Sequence, residues 1–233
     1  MKKLSAFILA CALLTPAALL AADFEGKVHF KITAEKGAPK DMDYSLKNGL
    51  ARIDVQTKET TASVIMDHPK QEVTILMPEQ KMYLVQSIAG KGGATATAAV
   101  DAANPSFEKT GVTEKILGYA CEKYLVKSND GITELWATEE LGAFLGFGPG
   151  GGGMMGGRRG GGSAAPQAWE SALAGKNFFP LRVVSQNSSG KETTRIEATA
   201  VEKKTLPDTD FTPPADFKKF DLGAMMRGPT PGR

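Results

Sequence analysis

"MDYSLKNGLARIDV", residues 42–55, is the stretch on which the fold turns. Met42, Tyr44 and Leu46 put an apolar side chain at every second position, and Ala51, Ile53 and Val55 do the same. Residues two apart share one face of a β-strand, so each run is a strand with one side made for a core. Between them stands Asn48-Gly49, the pair that best tolerates the positive φ angles of a two-residue hairpin turn. The spacing predicts two antiparallel strands in fixed register, with their apolar residues on a common side.

The same alternation extends in both directions. In "FEGKVHFKIT", residues 24–33, Phe24, Val28, Phe30 and Ile32 fall on one face, while Glu25, Lys27, His29 and Lys31 fall on the other and put His29 in water. Downstream, "ASVIMD", "EVTILM" and "KMYLVQ" are three apolar runs separated by "HPKQ" and "PEQ", which are turn-sized and favour a meander of neighbouring strands. After Gln86 the chain becomes small and Gly/Ala-rich, and "SIAGKGGATATAAVDAANPS" reads as a long loop within the sheet. Strand pattern resumes in "GVTEKILGYACEKYLVKS", turns at Asn129-Asp130-Gly131 and returns as "ITELWA".

Two short helices are expected next. Thr138 is placed to cap "EELGAF", and Pro166 to open "PQAWESALAG", with Gly175 as the stop. Between them residues 146–165 are so rich in glycine that ordering them is entropically costly, and they read as a mobile insertion. A hairpin, "LRVVSQ" to "TRIEATAVE", and the segment "FTPPADFKKF" complete one β-rich domain over residues 23–221, followed by a flexible tail at 222–233.

The first 22 residues have another character. Lys2 and Lys3 precede an apolar run from Leu4 to Leu20, and Ala21-Ala22 offers small residues for cleavage before Asp23, the pattern of a secretory signal peptide. Pro16 near the end of the run argues against a membrane anchor. Lipid attachment at Cys11 would leave too short an apolar run before the cut. Export to the periplasm or beyond is therefore expected. No later stretch is long and apolar enough to be a spanning helix.

Removing residues 1–22 takes away two lysines and no acid from a chain of net charge +2, so basic and acidic side chains balance. That excludes nucleic acid as a natural partner, since phosphate binding needs a basic surface. It also leaves Cys121 as the sole cysteine, with no internal disulfide to form. An unpaired thiol in an oxidising compartment is expected to survive by burial, as a small hydrophobe.

Catalytic patterns are missing. His29 and His68 are the two histidines, and there is no His-Glu-x-x-His, no Cys-x-x-Cys, no Gly-x-Ser-x-Gly and no phosphate-cradling loop followed by Lys-Ser/Thr. Met154-Met155 and Met225-Met226 offer soft sulfur but no accompanying histidine or cysteine, so neither a metal nor another cofactor is expected.

The order of "FEGKVHFKIT", "NGLARIDV", "TILMPEQKMYLV", "EKILGYACEKYLV", "TELWATEELG", "NFFPLRVV" and "FTPPADFKKF" resembles the exported bacterial family described as domain of unknown function 4412, over about residues 24–221. That family in turn resembles the half-barrel of the periplasmic lipoprotein carriers. The resemblance implies a mainly β (α+β) fold: one antiparallel sheet of about eight strands curled around two short helices, with an apolar concave face. It supplies no catalytic residue. Phe30, Tyr44, Met66, Ile75, Leu84 and Trp136 are then the residues expected to line that face. The expected function is non-catalytic binding or carriage of a lipid or another apolar group. A structural or protein-interaction module of the envelope, with a filled core and no ligand, is the competing reading.

Overall fold

The computed structural model describes residues 24–56, 61–87, 106–129, 131–147 and 167–220. The expected leader at 1–22, the loop at 88–105, residues 148–165 of the glycine-rich insertion and the tail at 222–233 lie outside them.

Among the described residues twelve strands form one open curled sheet. They are β1 (Gly26–Ala34), β2 (Lys40–Lys47), β3 (Leu50–Gln56), β4 (Thr61–Asp67), β5 (Glu72–Met77), β6 (Met82–Ser87), β7 (Ser106–Ile116), β8 (Tyr119–Ser128), β9 (Gly131–Thr138), β10 (Phe179–Asn187), β11 (Glu192–Lys203) and β12 (Lys218–Lys219). The spatial order is β12-β6-β5-β4-β3-β2-β1-β11-β10-β9-β8-β7. Strands β1 to β6 meander outward to one edge. The chain then crosses to the far edge and meanders back from β7 to β11, which pairs antiparallel with β1.

The decisive hairpin forms as read. Asn48 and Gly49 take φ angles of 48° and 75°, and Lys47 pairs with Leu50 at the start of the β2–β3 ladder. Two expectations need correction. The sheet has twelve strands rather than about eight, in part because "KILGY" is a second tight hairpin: Leu117 and Gly118 turn at φ 51° and 90° and divide the expected single strand into β7 and β8. Leucine is a poor residue for a left-handed position, so the turn carries no ordinary signature.

The second correction concerns the helices. One α-helix is present among the described residues, α1 (Ala168–Leu173). "EELGAF" is irregular: Gly142 and Gly146 take φ angles of 76° and 82°, which break a helix, and the Phe144 amide donates to the Phe178 carbonyl. The Thr138 hydroxyl does accept the Glu140 amide, but that cap opens a turn and no helix follows.

The sheet carries a core on each side. The larger takes Val28, Phe30, Met42, Tyr44, Ile53, Val64 and Met66 from the first meander and Tyr124, Leu135, Leu181 and Val183 from the second. The smaller lies on the other face, where Ile65 and Leu76 are covered by Leu206 and Phe211 of the returning C-terminal segment. Polar contacts fix that segment: Lys47 binds the Leu206 carbonyl and Asp208, and Arg52 donates to the Asp210 carbonyl. Finally β12 pairs in parallel with β6 and covers that edge of the sheet.

Candidate functional site

The larger core identifies the concave side. Tyr44 belongs to β2 and Phe179 to β10, with β1 and β11 between them. In a flat sheet three strand spacings would hold them about 14 Å apart. Their ring centroids are 5.5 Å apart, and those of Phe30 and Phe179 are 6.2 Å apart. The sheet must curl toward this side for the rings to meet.

What fills the hollow is the chain itself. Residues 141–147, between β9 and β10, form a strap whose Leu141, Phe144 and Phe147 are buried, and α1 adds Trp169 and Leu173. Phe144 lies against Tyr44 at 5.4 Å, Phe147 at 4.9 Å and Trp169 at 5.7 Å. Aromatic side chains bury the most area per residue, and tilted or edge-to-face pairs at these distances add to the gain from burial.

Polar contacts hold the strap at two points. The fully buried Tyr44 hydroxyl donates to the Gly146 carbonyl at 3.2 Å and accepts the Leu145 amide at 3.2 Å. Burial drives its pKa well above the ordinary phenol value, against the pull of that amide. The second point is Glu170. Its Oε2 accepts the Gln167 amide at 3.0 Å in a capping box, and Gln167 Oε1 accepts the Trp169 indole N–H at 2.9 Å. Burial pushes the Glu170 carboxyl up to about 7, although the backbone amides of Gln167 and Phe147 favour its ionised form. Glu170 Oε1 and its neighbour Ser171 Oγ are buried with no hydrogen-bond partner among the described residues. Each such atom costs about 1–3 kcal/mol, so seating α1 gives back part of what its apolar side chains gain.

Of the residues expected on the concave face, Phe30, Tyr44 and Met66 are in the larger core, at 3%, 0% and 5% exposure. Ile75 is half-buried against the same core, and Leu84 stands directly opposite it in the β5–β6 ladder. With Met77 and Met82, also paired and half-buried, they continue the apolar face to the rim. Trp136 departs from the set. It is half-buried and packs against this core, but its alternation with Leu135 and Ala137 turns its ring to the opposite face, where Lys123 and Arg182 lie 5.6 and 5.9 Å from its centroid.

Sequence reasoning misses the strap, because it assigns the two phenylalanines to a helix and an insertion. It also misses a cavity of about 300 Å³ beside β8 and β9, lined by Thr113, Cys121, Glu122, Ala137, Glu140 and Phe178 among others. None of the six expected residues lines it. Cys121 is free and buried, and burial foremost pushes its thiol up to about 11, which makes it a poor nucleophile. On the outer face His29 is held by Asp43 at 2.7 Å and Glu202 at 3.4 Å. Among the described residues no three His, Cys, Asp or Glu side chains are grouped to hold a metal, and no helix is long and apolar enough to cross a membrane.

These features define a class: an open β-sheet curled around an aromatic strap of its own chain. The chain belongs to the family described as Domain of unknown function (DUF4412), whose model matches residues 24–217. No curated protein matches the sequence. Among solved structures it is similar in fold to an uncharacterized conserved protein from Thermus thermophilus, at 10% identity over 86% of this chain and 91% of that one, with a TM-score of 0.50. Looser similarities include a LolA superfamily protein from Nitrosomonas europaea, at 11% identity over 83% and 91% of the two chains and a TM-score of 0.33. Another is the MucA/MucB complex of Pseudomonas aeruginosa, at 10% identity over 84% of this chain and 58% of that one, with a TM-score of 0.46.

Proposed function

We propose that this is an exported, periplasmic, non-catalytic protein that binds or carries a lipid or another apolar group on its concave face. The observation that carries the reading is the cover of that face. It is a single aromatic strap, tied by the Tyr44 hydroxyl and by Glu170, and its helix seats two buried polar atoms without partners among the described residues. A face closed in this way can exchange its own phenylalanines for a ligand's hydrocarbon at little net change in buried apolar area. The half-buried rim of Ile75, Met77, Met82 and Leu84 supplies the place of first contact. Chemistry on bound material has no support: the Cys121 thiol keeps its proton, and His29 is engaged by two carboxylates.

The test is a titration with a fluorescent fatty-acyl probe, with Leu84→Glu as the variant. Saturable binding that the variant weakens at least tenfold, with unchanged circular dichroism, is expected. Absence of saturable binding to the wild type would sink the proposal.

A second reading, the protein-interaction module, is favoured by the free edge of the sheet. Among the described residues strand β7 pairs on one side only, with β8, and its Val112 and the turn residue Leu117 that follows it are 50% and 45% exposed. Such an edge is a template for an added strand. Under that reading the acyl probe does not bind and the strap stays seated under all conditions in which the domain is folded.

A further inference from the structure

We infer that Glu170 is a protonation latch: while it keeps its proton it lets the aromatic strap lie on the concave face, and when it loses the proton the strap is released. The regulatory meaning, access of an apolar ligand set by pH, rests on the binding function proposed above; the latch itself does not.

The geometry comes first. Glu170 sits on α1 between Trp169 and Ser171, with its Oε1 unpartnered among the described residues and its Oε2 on the Gln167 amide. A neutral carboxyl can be seated there at modest cost, because one oxygen carries a proton and the other keeps its amide. An anion in the same place has two oxygens to satisfy: the Gln167 and Phe147 amides offset part of its desolvation, but burial outweighs them and Oε1 has no hydrogen-bond partner among the described residues.

Among the described residues no cation offsets it. The ionisable groups on the elements around it are Tyr44 of β2, and Tyr124 of β8, which donates to Glu122, itself paired with Lys109. Beyond α1 stands Lys176, over the Phe107 ring, and before the strap stand Glu139 and Glu140. Among the described residues none forms an ion pair with Glu170. Ionisation is therefore relieved by moving the carboxylate to water, which lifts α1 and withdraws Trp169 from Phe144 and Phe147.

The sign follows from linkage. With the strap seated, the carboxyl titrates at about 7; with the strap lifted, it returns to its ordinary value of 4.5. The lifted state thus binds fewer protons between those two values, and rising pH favours it. Its ratio to the seated state climbs about tenfold per pH unit through that window, about 300-fold in all, and is flat above it.

Amide hydrogen exchange on the full chain reads this ratio directly. After correction for intrinsic rates, the opening constants of the Phe144, Leu145 and Ser171 amides are expected to rise about 150-fold between pH 4.5 and 8. The ladder amides of β2 should not follow. Glu170→Gln should give flat profiles near the acid value, and Glu170→Asp should keep a slope. Flat wild-type profiles, or a slope that survives in Glu170→Gln, would overturn the latch. Binding of the acyl probe at pH 5 and pH 8 separates the two proposals. An opened strap without binding refutes the ligand and leaves the latch, whereas equal binding at both values with no opening refutes the latch alone.

Discussion

Replacing Tyr44 with phenylalanine removes one oxygen from the middle of the concave face and leaves every ring contact in place. That oxygen is the acceptor for the Leu145 amide and the donor to the Gly146 carbonyl, both at 3.2 Å. Without it the amide has lost its acceptor, at a cost of about 1–3 kcal/mol if it is sealed from water. Leu145 and Gly146 are half-buried, so water recovers part of that, and the carbonyl is the less demanding of the two groups. The net loss should be about 1–2 kcal/mol. For a urea slope of about 2 kcal/mol per molar, the midpoint of unfolding falls by about 0.5–1 M at unchanged slope. Amide exchange at Leu145 should accelerate by a similar free energy, because the same bond resists local opening. A midpoint shift under about 0.2 M, with Leu145 exchange unchanged, would refute the idea that this hydroxyl ties the strap.

Other outcomes are open to the same kind of measurement. Trp169→Ala, at a position 1% exposed, should cost about 3–5 kcal/mol in urea unfolding, whereas Trp136→Ala on the outer face should cost less than half as much. Gly26→Ala should destabilise strongly, since the added Cβ would sit 2.1 Å from the Glu202 carbonyl oxygen across the β1–β11 ladder; Gly37→Ala, with nothing within 4 Å but a φ of 111°, carries the backbone strain without the clash and should cost less. With the leader removed, Cys121 should react with a thiol reagent at pH 8 only after denaturant is added, because burial lifts it to about 11 and screens it from solvent.

Much of this fold was legible wherever a strand is half-buried. β1, β2 and β3 show their faces by strict alternation, and Asn48-Gly49 announces its turn because few other pairs accept two positive φ angles. The turn at Leu117-Gly118 was not legible, since its first residue runs against local preference and only the tertiary ladder between β7 and β8 makes it adopt φ 51°. The strap was hidden for a different reason. Leu141, Phe144 and Phe147 look like helix or linker in sequence, and they become a core only when β2 and β10 curl toward each other. Trp136 shows the limit of reading aromatics as lining: alternation with Leu135 and Ala137 decides its face, and that pattern was available in "LWA".

The account stands or falls on whether the concave face is ever occupied by something other than the strap. The protein purified from its native envelope without detergent, extracted with organic solvent and analysed by mass spectrometry, answers that most directly. The account predicts a co-purifying lipid or acyl species in stoichiometric amount, lost in Leu84→Glu protein that keeps its fold. An extract indistinguishable from that of an unrelated exported protein prepared in parallel would contradict it.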